Sequence, residues 1–275
     1  MTEIDARAFD DFEAAGWEKA ARQYDHFFGG LTRRAIESLL DAAGVFAEKR
    51  VLDVATGPGY VAARAAERGA DVVGLDVAAA MIELARQSHP TLRFVQASAM
   101  ALPFPPESFD AVVGNFAVLH LGEPESAARE FARVLTPGGG VALSTWDQPE
   151  RARFLGALLE AMGDAGVVPP SDIPVGPSFF RFAEEAEFRA LLTEAGFERV
   201  RVDTLVFDHE LGSADELFFG ILGGTVRTAS LLRAASDEQR ERVRKALEER
   251  LTPYRTGGEL AVPVSVKIAS GIKRR

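Results

Sequence analysis

An open α/β sheet with helices on both faces is the fold this sequence predicts, and three observations predict it. Short apolar runs alternate with helix-periodic segments between residues 50 and 146. A glycine turn, Gly57-Pro58-Gly59, joins the first apolar run to the first of these helices. The first two runs each end on a carboxylate, Asp53 and Asp76. Strands separated by helices pair in parallel through right-handed crossovers, which places helices on both faces of the sheet.

The elements follow in order. Segment 11–44 reads as helical, because Trp17, Ala20, Ala21, Tyr24 and Phe28 recur at spacings of three and four. Gly29-Gly30 is expected to break that helix, and a second, 32–43, stops at Gly44. The spacing then predicts strand 50–54, helix 58–68, strand 71–76, helix 79–88, strands 92–96 and 109–115, helix 125–135 and strand 140–146. Pro137-Gly138-Gly139-Gly140 ends one helix and turns the chain into the next strand. Beyond Trp146 come helix 151–165, a loop rich in proline (Pro169, Pro170, Pro174, Pro177) and helix 184–195, which stops at Gly196. Strand 199–207, a helical stretch 213–251 and strand 262–268 complete the chain. The Gly223-Gly224 interruption suggests a lid that moves. With no repeat or low-complexity tract, 1–275 is expected to form one domain: a helical lid 1–48, a ligand-binding core 49–147, and a remainder 148–275 carrying a helical cap insertion at about 213–251.

Composition narrows the function. A 275-residue chain that is 47% hydrophobic can bury one large core. Thirty-one Lys and Arg against 41 Asp and Glu give a net charge of −10, which argues against a nucleic-acid partner. The short basic end, Lys267 to Arg275, reads as a solvated terminus. The absence of cysteine removes disulfides, thiolate metal sites and a cysteine nucleophile, and fits a reducing compartment. The acidic start, Met1 to Glu18, lacks a signal pattern. No apolar stretch approaches the ~20 residues of a membrane span. The expectation is a cytoplasmic protein, monomer or homodimer, acting on a small molecule, with no membrane span and no bound metal.

Gly57 to Ala62 satisfies the pattern G-x-G-x-x-A, and Asp76 lies where dinucleotide sites place a ribose acid. A nicotinamide dinucleotide is therefore the first ligand to weigh. Two features oppose it: some fifty helical residues precede the first strand, and Asp53 faces the turn. A carboxylate there repels a diphosphate seated on the helix N-terminus. It attracts a ligand with a cationic amino-acid end, while Asp76 can accept both hydroxyls of a ribose.

Val51-Leu52-Asp53-Val54-Ala55-Thr56-Gly57-Pro58-Gly59 resembles the first motif of class I S-adenosylmethionine-dependent methyltransferases. The likeness is greatest to the small-molecule branch that includes ubiquinone and menaquinone biosynthesis enzymes. Further motifs fall in register: Gly74-Leu75-Asp76, Met81 and Ala85, Ala101-Leu102-Pro103-Phe104, Ser108 to Val113, and Arg133-Val134-Leu135-Thr136-Pro137-Gly138-Gly139. The resemblance covers about 50–146 closely and the rest more loosely. It implies a Rossmann-like, doubly wound, seven-stranded sheet whose last strand runs antiparallel beside the sixth. It also implies S-adenosylmethionine as cofactor. Asp53 would draw the cofactor's ammonium, and Gly57 and Gly59 would let backbone approach its methionine end. Asp76 would take the ribose, Val77 and Met81 would flank the adenine, and Ser98 and Ala99, with Met100 packing, would read its edge. Asn115 and Phe116 would floor the site near the sulfonium, and Tyr24 would close over the methionine moiety. Departures are Ala55 in place of the first glycine, Ser98 in place of an adenine-binding Asp, and Leu119-His120 in place of paired histidines.

His120, just past the fourth strand, is the candidate general base. His209 is a weaker candidate, while His26 and His89 read as helix-face residues. Asn115-Phe116-Ala117-Val118 differs from the Asn-Pro-Pro-aromatic segment of nucleic-acid and protein amino-methylating members. With the acidic charge, this favours a small, apolar acceptor methylated on O or C. Trp146, Phe179 and Phe218 are the expected pocket aromatics. Two alternatives stay open: an NAD-dependent oxidoreductase, and a protein of this fold that binds the cofactor without methyl transfer, as a binding module or cyclase.

Overall fold

A computed structural model of the chain describes residues 5–171 and 173–275. Helix α1 (Ala6–Thr32) leads through a short 3-10 turn to α2 (Ile36–Ala42). The alternating core follows: β1 (Arg50–Val54), α3 (Tyr60–Glu67), β2 (Asp71–Asp76), α4 (Ala79–Ser88), β3 (Arg93–Gln96), β4 (Phe109–Gly114), α5 (Pro124–Val134) and β5 (Leu135–Trp146). Then come α6 (Arg153–Asp164), α7 (Glu185–Glu194), β6 (Phe197–Leu211), α8 (Ala214–Gly224), α9 (Arg227–Ala234), α10 (Asp237–Leu251), the two-residue β7 (Arg255–Thr256) and β8 (Glu259–Lys273).

The strands form one sheet in the order β3-β2-β1-β4-β5-β8-β6, with β7 paired to β8 alone. β1 to β5 are parallel, and β8 runs antiparallel between β5 and β6. The sheet is wound on both faces, and the strands show it by strict alternation. Val51, Ala111, Val113 and Ala142 point into the apolar layer under α2, α4 and α6, while Leu52, Val54, Val112, Val141 and Leu143 point into the layer under α5 and α7.

Strands β6 and β8 run well past the 199–207 and 262–268 expected for them. Trp146, the last residue of β5, pairs with Val266, yet β8 continues from there back to Glu259 against β6. This two-stranded ribbon therefore rises above the carboxyl edge of the parallel strands. The chain between its two tips, α8 to α10, is carried over that edge. Gly271 ended the sequence reading of β8 early. A Cβ there would sit 3.1 Å from the Phe197 side chain, so the glycine marks a close approach inside a strand, beside the bulge where Arg199 takes φ +53°.

Three further differences have local causes. Gly29-Gly30 does not break α1; a Cβ at Gly29 would lie 3.1 Å from the Tyr60 hydroxyl, so the residue serves packing. Strand β5 starts at Leu135 rather than 140, but Leu135 sits opposite Phe109 and Gly140 opposite Ala111, so the Thr136–Gly139 stretch bulges out of the ladder. The helical stretch 213–251 is three helices. Ser213 accepts the Glu216 N–H at the start of α8, and Ser236 forms a capping box with Gln239 at the start of α10.

The glycines of α8 permit contact with α1. A Cβ on Gly220 would stand 2.3 Å from the Phe27 ring, one on Gly224 3.1 Å from Phe28, and one on Gly223 3.3 Å from Gln23. The Gly223-Gly224 pair is thus a helix-packing surface, and the lid expected from it has no support in this geometry. Four carboxylates of α1 fasten it to the core. Asp10 accepts the Gly122 N–H at 2.7 Å, Glu13 meets His120, Glu18 accepts the first amides of α4, and Asp25 accepts the Tyr60 hydroxyl. No helix of the described residues is long and apolar enough to cross a membrane.

A Gly220→Ala variant should lose stability by about 1 kcal/mol or more, since overpacking at the α1–α8 contact exceeds the helix-propensity gain. Gly163→Ala, whose Cβ would meet open space on α6, should instead gain up to about 1 kcal/mol. Urea unfolding of both variants checks the contrast, and equal effects would contradict the packing account.

Candidate active site

A cavity opens at the carboxyl edge of the parallel strands, with α1 and the α8–α9 junction as its roof. This is where a doubly wound sheet places its ligands, because helices leave opposite faces of the sheet there and their N-termini diverge.

The cavity floor is built by the first two strands. After β1 the backbone turns through left-handed conformations at Ala55 (φ +53°) and Gly57 (φ +52°) before α3 begins. A Cβ on Gly57 would meet nothing within 4 Å, so this glycine leaves the cavity wall bare. Gly59 acts differently: its Cβ would strike Phe94 at 2.9 Å and His89 at 3.0 Å, and it lies off the cavity wall. Its task is to seat α3 against β3 and α4. The methyl group of Ala55 holds a φ that glycine adopts freely, at a cost of about 1–2 kcal/mol.

The two strand-end carboxylates are buried and divide their work. Asp76 Oδ2 accepts the Gly57 N–H at 2.9 Å and Oδ1 accepts the Ala78 N–H at 3.0 Å. Each oxygen keeps a second lone pair for the cavity it lines. Burial raises its pKa against these backbone donors. Asp53 lies beneath the turn and is not on the cavity wall. Its Oδ2 accepts the Thr56 hydroxyl at 2.5 Å and the Ala62 N–H at 3.0 Å, while Oδ1 is buried without a partner. Burial pushes this carboxyl up to about 7.

Three amides at the turn are thereby spent: Gly57 on Asp76, Gly59 on the Thr56 carbonyl, and Ala62 on Asp53. A diphosphate would find two buried carboxyls and few free donors there. The site suits a ligand that donates hydrogen bonds and brings positive charge.

Val77, Met81, Ser98, Ala99 and Met100 line the wall beside Asp76. The Ser98 hydroxyl accepts the Met100 N–H at 3.2 Å, which makes it a turn former as well as a wall residue. Asn115 and Phe116 lie across from them. Ser144 donates to Asn115 Oδ1 at 2.7 Å and accepts the Phe116 N–H at 2.8 Å, and Asn115 Nδ2 donates to the Thr32 carbonyl at 3.0 Å. Phe116, held at φ +55°, stacks on Trp146 with ring centroids 3.9 Å apart. Tyr24 forms part of the roof; its hydroxyl reaches Thr32 Oγ1 at 3.4 Å, its ring stacks on Phe28, and burial raises its pKa to about 12.

His120 lines the far end of the cavity, and its Nδ1 lies 2.9 Å from Glu13 Oε2. The same oxygen accepts the Trp17 Nε1–H at 3.0 Å, and the Trp17 ring packs edge-on against the imidazole. Glu13 is 3% exposed, so the carboxylate orients the imidazole from a dry position. Nδ1 is engaged, which leaves Nε2 as the free nitrogen. His209 lies on the β6 ribbon and His89 at the end of α4, both away from the cavity lining. Phe179 and Trp146 line the cavity. Phe218 does not; at 2% exposed it packs in the core beneath α8.

The site thus gathers every residue the sequence nominated except Asp53 and Gly59, which support it from beneath, Phe218, and the weaker base candidate His209. Glu13, Trp17, Thr56 and Arg227 were missed. A signal for the first two existed: the apolar stripe Trp17, Ala20/Ala21, Tyr24, Phe28, extended toward the N-terminus, meets Glu13 and then Phe9 at intervals of four. A carboxylate on a buried stripe is a functional flag. Among the described residues no cluster of three His, Asp or Glu is arranged to hold a metal ion.

Comparison with known proteins agrees with this geometry. The family model described as a methyltransferase domain matches residues 52–143. A demethylmenaquinone methyltransferase of Thermus thermophilus is 35% identical over 195 residues, covering 64% of this chain and 84% of that protein. One from Renibacterium salmoninarum is 36% identical over 148 residues, covering 52% of this chain and 62% of that protein, so the match spans less than two thirds of that relative. Among solved structures, the YcgJ protein of Bacillus subtilis is similar with a TM-score of 0.55 at 23% identity, covering 88% of this chain and 99% of the other, which shows a shared fold.

The raised Asp53 has a consequence for stability. The folded state keeps this proton to about pH 7, whereas the unfolded chain releases it near 3.8. Its contribution is therefore complete below the unfolded value and falls as pH rises through that window. Asp53→Asn should flatten the decline, seen as a smaller difference between urea-unfolding free energies at about pH 5 and about pH 7.5. An unchanged difference would show that Asp53 ionises freely in the folded protein.

Proposed function

We propose, because this chain belongs to the class I S-adenosylmethionine-dependent methyltransferases, that it transfers a methyl group to an oxygen or carbon atom of a small, largely apolar metabolite. The observation that carries this reading is the pairing of Asp76 with the Gly57 amide. It puts a hydrogen-bond-accepting carboxylate at the lip of a bare glycine turn, in the same cavity as an oriented imidazole.

The residues present fit the cofactor. Asp76 has unused lone pairs for the two ribose hydroxyls, and Val77 and Met81 offer apolar faces for the adenine. Ser98, Ala99 and Met100 border the adenine edge. The bare wall at Ala55 and Gly57 leaves backbone for the methionine end, with Tyr24 above it. Asp53 braces the turn from beneath through the Thr56 hydroxyl and the Ala62 amide, and so shapes the backbone the methionine end lies against. This support for Asp53 is indirect, since it acts through the turn rather than on the cavity wall. When bound, S-adenosylmethionine supplies a methyl group already activated by its sulfonium.

The chain's own residues have two tasks. Phe116, Trp146 and Phe179 exclude water and align the acceptor, which is worth more than any single group in a displacement of this kind. His120 takes the acceptor's proton on Nε2, and Glu13 holds the resulting imidazolium through Nδ1. The acceptor oxygen or carbon gains nucleophilicity as that proton leaves. Nicotinamide chemistry is disfavoured by the same wall, because a diphosphate at the turn would face the Asp76 carboxylate and find the Gly57 and Gly59 amides already spent.

Asp76→Ala should weaken binding of S-adenosylhomocysteine about 10- to 100-fold by calorimetry, and NADH should not bind the wild-type protein detectably. Unchanged affinity in the variant removes Asp76 from the cofactor site. His120→Ala should lower turnover about 10²- to 10⁴-fold, followed as S-adenosylhomocysteine released in the presence of a metabolite extract. Glu13→Gln, which keeps the hydrogen-bonding shape without the charge, should fall between that variant and the wild type. Retention of most of the activity in His120→Ala would remove the base.

A further inference from the structure

One half-buried cation in this cavity has no role in the mechanism above. Arg227 opens α9 at the roof and lines the acceptor end. Its guanidinium lies between two aromatic rings, 5.1 Å from the Phe9 centroid and 5.7 Å from that of Phe179. Nη1 is buried with no hydrogen-bond partner, and none of the ion pairs among the described residues includes this side chain. Its pKa is lowered by burial and raised only by the charge of Glu13. Glu13 is committed elsewhere: its Oε2 is shared between His120 and Trp17, and its Oε1 is itself unpartnered. The other acid at this end, Asp10, is engaged by the Gly122 amide.

A partly desolvated guanidinium with no directly paired or hydrogen-bonded partner among the described residues is costly to the folded chain, and a chain that keeps one in a ligand cavity has a use for it. We propose that Arg227 anchors a carboxylate carried by the acceptor, so that the acceptor is an aromatic acid whose hydroxyl faces His120. This deepens, and rests on, the methyltransferase reading. Charge balance supports it. When the acceptor hydroxyl loses its proton to His120 Nε2, the imidazolium is neutralised by Glu13. Among the described residues of the cavity wall Arg227 is then the remaining cation, and it neutralises the carboxylate. The walls match an aromatic body: Trp17, Phe116, Trp146 and Phe179 line the same cavity as Arg227, and Phe116 stacks on Trp146. A planar guanidinium stacked on rings also reads a carboxylate through two parallel hydrogen bonds, which a lysine in its place cannot do.

The test uses the 275-residue chain saturated with S-adenosylhomocysteine. Calorimetric titration compares 2-naphthoate, 1-hydroxy-2-naphthoate and 3-hydroxy-2-naphthoate, each against its primary amide. At least one acid should bind ten times or more tighter than its amide. Arg227→Met should abolish that preference without weakening the amide, and Arg227→Lys should restore part of it. The thermal midpoint of ligand-free Arg227→Met should equal or exceed that of the wild type, which a merely structural arginine would not allow. Absence of any preference for the acids in the wild type, or a preference that survives in Arg227→Met, overturns the proposal. Binding of S-adenosylhomocysteine separates the two levels: if the wild type fails to bind it, the methyltransferase reading has failed, and if it binds while the acids show no preference, only Arg227 has lost its role.

Discussion

Asp76 is the side chain on which the architecture of the site converges. One of its oxygens takes the amide of the glycine turn that follows β1, and the other takes the amide at the threshold of α4. A single carboxylate thus locks two strand-to-helix connections together across the gap between adjacent strands. The glycine turn reaches this geometry through left-handed residues that cost conformational energy, and the hydrogen bond from Gly57 is what holds it there. Without a ligand the carboxylate sits desolvated, and its raised pKa records that penalty. The same buried charge that burdens the empty fold is available for recognition, a trade common at functional sites.

Acidic side chains also explain how the roof is attached. Helix α1 has no strand or sheet edge to pair with, and it lies across the carboxyl ends of the strands on a stripe of aromatic residues. Asp10, Glu13, Glu18 and Asp25 each reach an amide, hydroxyl or imidazole of the core from successive turns of that helix. Glu18 satisfies the first amides of α4, whose N-terminus has no side-chain cap of its own. One helix therefore closes the cavity, completes an incomplete helix cap and orients the imidazole. The net acidity of the chain is partly spent on these contacts rather than on surface charge alone.

Much of this was legible in the sequence, for physical reasons that can be named. The strands from β1 to β5 were readable because each is a short apolar run bounded by turn residues, and the order of motifs gave the topology. The ribbon of β6 and β8 was underestimated because its ends pair only with each other beyond the parallel strands, a partnership that apolar runs in one sequence do not display. Gly29 read as a helix break and Gly223-Gly224 as a lid, and both sites are contact surfaces, since one sequence cannot distinguish a glycine needed for φ from one needed for space. Gly59 was placed on the ligand for the same reason. Glu13 and Arg227 were invisible to motif reading: each lies about a hundred residues from His120, one before it and one after, and only the roof helices bring them to the imidazole's end of the cavity.

The account stands on Asp76 facing a ribose at the lip of the glycine turn. Diffraction from crystals grown with S-adenosylhomocysteine tests that most directly. The expected map shows both ribose hydroxyls within hydrogen-bonding distance of the Asp76 carboxylate, the adenine between Val77 and Met81, and no anion at the turn. Density for the nucleoside elsewhere, or for a diphosphate bound on the amides of Gly57 and Gly59, would contradict it.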